Sequence, residues 1–138
     1  MTSGYLLEEN VGFILRQVTQ RHVALFSATM CHDLTPMQFS ALLKLHEQGS
    51  CSQNQLGRLT AMDNPTIKGV VDRLMRRDLV TARPDAHDAR LLMLSLTETG
   101  ERVLAEAIPC ARRVTQATLA PLEAGEQKTL LSLLKSLR

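Results

Sequence analysis

The stretch SQNQLGRLTAMDNPTIKGVVDRLMRRDLVTARPDAHDARLLMLSL, residues 52–96, sets two short helices and a hairpin in immediate succession. Ser52 and Gln55 have the spacing of a capping box, in which a hydroxyl accepts from the N3 amide while the N3 side chain reaches back. They open a short helix through Leu56 and Leu59. After the break TAMDN, Asn64 as N-cap and Pro65 at the first helical position, where its missing N–H is no loss, predict a second start. Ile67, Val70, Val71 and Leu74 recur at helical spacing and form the buried stripe of that helix. Two short helices joined by a tight turn make a helix-turn-helix. LVTAR and LLMLSL then read as strands, and PDAHDAR between them, with Pro84, two Asp and two Ala, suits a hairpin tip. A helix-turn-helix that runs straight into a hairpin is a winged helix.

Working outward, LTPMQF places Thr35 as N-cap, Pro36 at N1 and Gln38 at N3, with Leu34 and Phe39 at the two staple positions. The helix it opens runs through Ala41, Leu42 and Leu45 and stops at Gly49. Upstream, Leu7, Val11, Ile14, Leu15, Val18, Leu25 and Phe26 form one helical stripe, which predicts a long first helix over residues 6–31. His22 falls on that stripe, either as a core histidine bonded to a neighbour or as a polar anchor inside a ligand cavity. Downstream, Thr97 caps a helix through Val103, Leu104, Ala107, Ile108, Ala111 and Val114, with a kink or break expected at Pro109. A last helix carries Leu130, Leu133, Leu134 and Leu137 on one face. The fold class is therefore mainly α with a small β-hairpin. The chain forms a single domain over residues 1–138, with a winged helix over 34–100 and terminal helices over 1–33 and 101–138. Those terminal stripes lack a partner within the winged helix, so they are the expected dimerisation surface.

The outward face of the second short helix offers Thr66, Lys68, Gly69, Asp72, Arg73 and Arg76, small at its start and basic further on. A recognition helix has this character, its first turns facing base edges and its flanks facing phosphates. A solvated surface helix supported by an Asp72–Arg76 pair would look similar. In the hairpin, Arg90 and His87 stand where a wing enters a narrow minor groove. An alternative partner for Arg90 is Asp85 or Asp88, and such a pair would preorganise the guanidinium.

Composition narrows the classes. Of 138 residues, 44% are hydrophobic and 22% charged, enough apolar material for one core and too much for a disordered segment. Four aromatic residues and no Trp leave little for a base-stacking platform of the single-strand type. The net charge of +2 permits DNA binding without demanding it, although six of the seven bases in residues 51–100 are Arg, which suits phosphate and guanine contacts. Three cysteines at irregular spacing make no disulfide framework. No apolar run approaches a membrane span and the first residues carry acids where a signal peptide carries bases, so a soluble cytoplasmic protein is expected. No nucleophile elbow, P-loop, glycine-rich fingerprint or zincin motif is present, so the sequence predicts neither an enzyme nor a cofactor.

The order of elements, the pattern Thr66-Ile67 followed by Val71-Asp72-Arg73-Leu74, the wing residues Asp85, Asp88 and Arg90, and Leu96-Thr97 with Gly100 resemble the MarR family of bacterial transcription regulators. The likeness is strongest over residues 34–104. It implies a winged-helix homodimer, joined through its N- and C-terminal helices, that represses genes until a small ligand or an oxidant loosens it. Two recognition helices about 34 Å apart would then read a pseudo-palindromic duplex. The DNA-binding residues expected on this basis are Ser52, Asn64, Pro65, Thr66, Lys68, Arg73, His87 and Arg90. Three positions depart from the family pattern: His87 where many members have Arg, Gly69 where a larger polar residue is common, and Asp78 where Gly commonly ends the recognition helix.

The effector type that the resemblance suggests is a small aromatic or heteroaromatic acid, such as a benzoate or nicotinate derivative. Its pocket is expected to draw on His22, Phe26, Met30 and Phe39, with Arg16 or Arg21 as carboxylate partner. Two alternatives keep the fold and change the signal. A metal sensor would use Cys31, His32, His46 and Cys51, whose spacing matches no standard zinc pattern. A thiol sensor would need an activated, accessible cysteine, and the chain has none before Cys31 and only Tyr5 as a tyrosine partner.

Overall fold

The computed structural model describes residues 4–138. In chain order, a 3-10 turn (Leu7–Glu9) precedes α1 (Val11–Thr29), α2 (Pro36–Gln48), β1 (Cys51–Ser52), α3 (Gln53–Leu59), α4 (Asn64–Arg76), β2 (Val80–Pro84), β3 (Leu92–Leu96), α5 (Glu98–Leu119) and α6 (Ala124–Ser136). The chain divides into two units, one of residues up to Thr29 with Ala111–Arg138, the other Met30–Cys110. The mainly α winged-helix class expected from the sequence is the one found.

The Met30–Cys110 unit is built on α2, α3 and α4, which bury Ala41, Leu42, Leu45, Leu56, Ile67, Val70, Val71 and Leu74 in one cluster with Leu34, Leu79, Val80, Leu94, Val103, Leu104 and Ala107. The α4 stripe read from periodicity is therefore buried at every position. At the start of α2 the full capping box forms, with Thr35 Oγ1 accepting from the Gln38 amide and Gln38 Oε1 accepting from the Thr35 amide. Gly49 closes that helix at a φ of 78°, a left-handed value that costs glycine nothing. Gly57 in α3 lets α4 approach closely, since a Cβ there would meet Ile67 Cγ2 and the Met62 carbonyl at 3.2 Å.

The sheet is antiparallel in the order β1-β3-β2, with Val80 opposite Leu96, Ala82 opposite Leu94 and Cys51 opposite Leu94. β1 was not anticipated. Two residues, the second of them itself the helix cap, have no periodicity to read, and only pairing with β3 defines them as a strand. Pro84, expected in the hairpin tip, instead ends β2 opposite Leu92. Proline is tolerated at this strand end because no ladder donor is required of it.

Other boundaries also shift. The cap of α4 is Asp63, whose Oδ1 accepts from the Thr66 amide at 2.8 Å. Asn64 becomes the first helical residue and Pro65 the second, a position equally free of an intrahelical donor requirement. Hydrogen bonds from the Thr66 hydroxyl and amide hold the Asp63 carboxyl below its ordinary range. For α3, Ser52 Oγ accepts from the Gln55 amide at 3.2 Å, which is the Ser52 half of the expected box.

In the other unit, α1 is shorter than the stripe suggested. Asn10 Oδ1 accepts from the Phe13 amide at 2.9 Å and so starts the helix at Val11. His32 and Asp33, at φ of 59° and 53°, mark the turn beyond its end at Thr29. α5 runs through Pro109 without a break. Thr97 caps it as expected, accepting from the Gly100 amide at 2.9 Å while donating to the Asp78 carbonyl. Leu137, placed on the α6 stripe by spacing, is its C-cap residue.

Candidate functional site

With Ile67, Val70, Val71 and Leu74 turned into the core, the remaining face of α4 is presented outward. Lys68, Arg73 and Arg76 are exposed, and Thr66, Gly69 and Asp72 are half-buried. Lys68 Nζ bonds Asp72 Oδ2 at 2.9 Å, so the intrahelical pair that forms is Lys68–Asp72 in place of Asp72–Arg76. Such an exposed i,i+4 pair contributes only a few tenths of a kcal/mol and is readily exchanged for a phosphate. At Gly69 an added Cβ would meet only Arg73 Nη1, at 3.4 Å, so packing does not require glycine here. Asn64 and Pro65, also expected at the interface, are exposed in the first turn.

The wing is organised by two carboxylates. Asp85 Oδ2 accepts from the His87 and Asp88 amides, both at 3.0 Å, and fixes the turn. Asp88 Oδ1 accepts from both the amide and Nε of Arg90 at 3.1 Å. These bonds, the side-chain one foremost, hold the Asp88 carboxyl below the usual carboxylate range. Of the two partners considered for Arg90, Asp88 is the one engaged. The Arg90 side chain is 92% exposed, so the guanidinium stands ready on a set backbone without being spent in the core. His87 is exposed beside it.

A cleft of about 480 Å³ joins parts of this surface, lined by Ser52, Gln53 and Asn54 of the α3 start, Val71, Asp72 and Met75 of α4, and Ala82, Arg90, Leu91, Leu92 and Leu94 of the wing. Ser52 and Arg90 thus come to one cleft. Ser52 also has a structural duty there, as the cap of α3. Gln53, Asn54 and Met75 were not among the expected residues, and nothing in their spacing marks them, because only tertiary packing sets α3 against the wing.

The expected effector residues divide between the units. In the first, His22 Nδ1 bonds Thr118 Oγ1 at 2.8 Å, and Arg21 donates through Nη1 and Nη2 to the carbonyls of Thr118 and Ala117 at 2.8 and 3.0 Å. His22 is half-buried. It lines an apolar cleft of about 460 Å³ with Ile14, Leu15, Val18, Thr19, Thr115, Thr118, Leu119, Leu130, Leu131 and Leu134. Arg16 is exposed and Phe26 is buried in the same unit. In the second, Met30 and Phe39 pack, partly buried, against the main core. Thr118 was missed by sequence reading. It lies 96 positions from His22, and a hydroxyl partner at that separation leaves no local pattern.

The residues considered for a metal sensor do not gather. Cys51 is buried in β1, and His46 and His32 bond separately to Glu101 and Glu106. Among the described residues, no three His, Cys, Asp or Glu are grouped to hold an ion. No helix among them is long and apolar enough to cross a membrane.

Comparison with known proteins bears directly on this geometry. The family model described as MarR family matches residues 32–91, the segment from the turn before α2 to the wing loop that precedes β3. The HTH-type transcriptional repressor NicR of Pseudomonas putida is 41% identical over 96% of this chain and 85% of its own length. A crystal structure of a probable transcriptional regulator from Pseudomonas aeruginosa superposes with a TM-score of 0.95 at 48% identity, covering 96% of this chain and all of that one. BpsR of Bordetella bronchiseptica, whose DNA binding is described as regulated by 6-hydroxynicotinic acid, superposes with a TM-score of 0.93 at 36% identity over 98% of this chain and 97% of its own. With its recognition helix, its wing and near-full-length likeness at these identities, the chain belongs to the MarR family of transcriptional regulators.

Proposed function

We propose that this protein is a cytoplasmic repressor that binds a pseudo-palindromic duplex operator as a homodimer and is released by a small aromatic or heteroaromatic acid of the benzoate or nicotinate type. The observation that carries the DNA half is the pairing of a polar, basic α4 face over a fully buried stripe with a 92% exposed Arg90 held on a fixed wing. Thr66 and Lys68 in the first turns of α4 are the base-reading candidates. Asn64, Pro65 and Arg73 flank them toward phosphates, Arg90 and His87 enter the minor groove, and Ser52 supports α3 beside the backbone.

The homodimer is supported by the unpartnered apolar faces of α1 and α6, where Val11, Ile14, Leu15, Val18, Leu131, Leu133 and Leu134 are all exposed. A surface of this kind is a partner surface. For the effector, the Arg21–His22–Thr118 constellation supplies the polar end. With Nδ1 engaged by Thr118, the Nε2 edge of His22 faces a ligand carboxylate. Arg21, both of whose Nη atoms are on carbonyls, contributes a fixed positive charge, and Arg16 is the more mobile alternative. Phe26 belongs to the same unit, whereas Met30 and Phe39, expected to contact the ring, belong to the other. The likeness to BpsR supports a hydroxylated nicotinate over a simple benzoate.

Release requires that the acid prefer the dimer form in which the recognition helices no longer fit the operator, since equal affinity for both forms shifts nothing. The test is a thermal-shift screen of benzoates and nicotinates followed by operator release with the best acid. An acid at about 100 times its Kd stabilises the fold by about 2.7 kcal/mol. His22→Ala is expected to keep duplex binding and dimerisation while losing release. Release of that variant at the wild-type concentration would move the pocket elsewhere.

A further inference from the structure

Four glycines lie in the Met30–Cys110 unit, and three of them have a reason within the chain. Gly49 holds the left-handed φ that ends α2, a Cβ at Gly57 would crowd Ile67, and one at Gly100 would overlap the Leu79 carbonyl oxygen. Gly69 has no such reason. Its φ is not positive, and an added Cβ would meet only Arg73 Nη1, at the ordinary contact distance of 3.4 Å. It nevertheless stands in the middle of α4, where glycine is the poorest helix former after proline.

Helical geometry puts this position at the leading edge of α4. At about 100° per residue, Gly69 is turned about 200° from Ile67 and so lies nearly opposite the buried stripe of Ile67, Val70, Val71 and Leu74. Thr66 and Arg73 flank it on one side and the Lys68–Asp72 pair on the other. The Thr66 hydroxyl is engaged by Asp63, which leaves the Thr66 methyl as the group not used within the chain.

Resting on the reading of α4 as a recognition helix, we propose that Gly69 is a specificity-determining position, a notch that seats a thymine C5-methyl in the major groove. The groove is about 12 Å wide and a helix with its side chains is about 10–12 Å across, so the fit leaves little slack. Omitting one side chain from the leading edge lets the backbone come closer to the base edges at that point. The notch offers the Gly69 Cα with the Thr66 methyl beside it, and the apolar feature of the groove that matches such a surface is the thymine methyl. A side chain at position 69 would fill the space, so the preference for thymine comes from shape and not from a hydrogen bond.

Gly69→Ala separates fold from interface, because the two are expected to move in opposite directions. The melting temperature should rise by about 2–5 °C through better helix propensity. Affinity for the operator selected by the wild type should fall by at least about 5-fold, the lower end for one mismatched base pair, while binding to unrelated duplex stays the same. Operators in which single thymines are replaced by deoxyuridine then locate the methyl. One such replacement per half-site should weaken the wild type by about 4-fold, the transfer value of one apolar carbon, and leave Gly69→Ala unaffected. Wild-type operator affinity in Gly69→Ala, an equal loss on operator and unrelated duplex, or no thymine methyl that matters to the wild type alone would overturn the notch. A lower melting temperature would mean that α4 packs around the glycine after all, and would overturn it too. If the wild type bound no duplex at any salt, the operator reading would fall and the notch with it, an outcome distinct from a wild type that binds and a Gly69→Ala variant that binds equally well.

Discussion

In the Met30–Cys110 unit, Leu42, Leu45, Leu56, Ile67 and Leu74 are all at 0% exposure, whereas in the unit formed by α1, the end of α5 and α6, Val11, Val18, Leu133 and Leu137 stand at 65, 50, 60 and 73%. The same residue types at the same helical spacing thus have two fates in one chain. Periodicity says which face of a helix is apolar, and it does not say whether the partner lies within the chain or on another copy. The winged-helix unit has completed its core; the helical unit leaves much of its apolar stripe exposed.

The sharpest way to break this contrast is truncation on each side of it. Leu42→Ala removes a fully buried side chain and is expected to cost about 2–5 kcal/mol in urea unfolding. Leu133→Ala, on the exposed face of α6, is expected to change monomer stability by no more than about 0.5 kcal/mol while weakening self-association in sedimentation. If Leu133→Ala cost as much as Leu42→Ala at concentrations where the protein is monomeric, the helical unit would be a finished core after all. A second large effect lies at the winged-helix boundary. A Cβ at Gly100 would overlap the Leu79 carbonyl oxygen, so Gly100→Ala is expected to destabilise by about 1–3 kcal/mol. That glycine is needed for space, since it is not among the positions with positive φ.

Arg90→Ala tests the outer surface of the same unit. Operator affinity is expected to fall by about 1–3 kcal/mol. Unfolding should barely change, because the side chain is exposed and its partner Asp88 keeps the bond from the Arg90 amide. Equal loss of stability and affinity would mean that the wing is a structural element first.

These residues also show what the sequence could tell. The capping box of α2, the α4 stripe and the wing strands are legible because each rests on neighbours within a few positions. The α4 cap moved from Asn64 to Asp63, since both residues are good caps and only the Thr66 amide geometry separates them. β1 was invisible because its strand character comes from Leu94, more than forty positions away. Of the candidate site, the exposed cations were legible as residues to be solvated or bound to phosphate. The His22–Thr118 bond was not, because a long-range side-chain partner leaves no spacing to read.

The smallest expected effect concerns the α4 cap. Asp63 has a folded pKa below its unfolded value, so its contribution is present above about pH 4 and is lost as the pH falls through the folded value. Asn caps about as well as Asp and does not titrate. Asp63→Asn should therefore match the wild type near neutral pH and lose less stability in acid, as followed by thermal melts across that range. A steeper acid loss in the variant would contradict the cap assignment.

The central claim is that α4 and the wing bind duplex DNA, and the measurement that tests it most directly is affinity against salt for a duplex selected from a random library. Binding by a dimer that neutralises phosphates predicts a linear fall of log affinity with log salt, with a slope of about −0.9 per phosphate contacted. The slope should be shallower for Arg73→Ala, and the selected sequence should have two related half-sites about one helical turn apart. Affinity that is independent of salt, or no selected duplex at any salt, would contradict it.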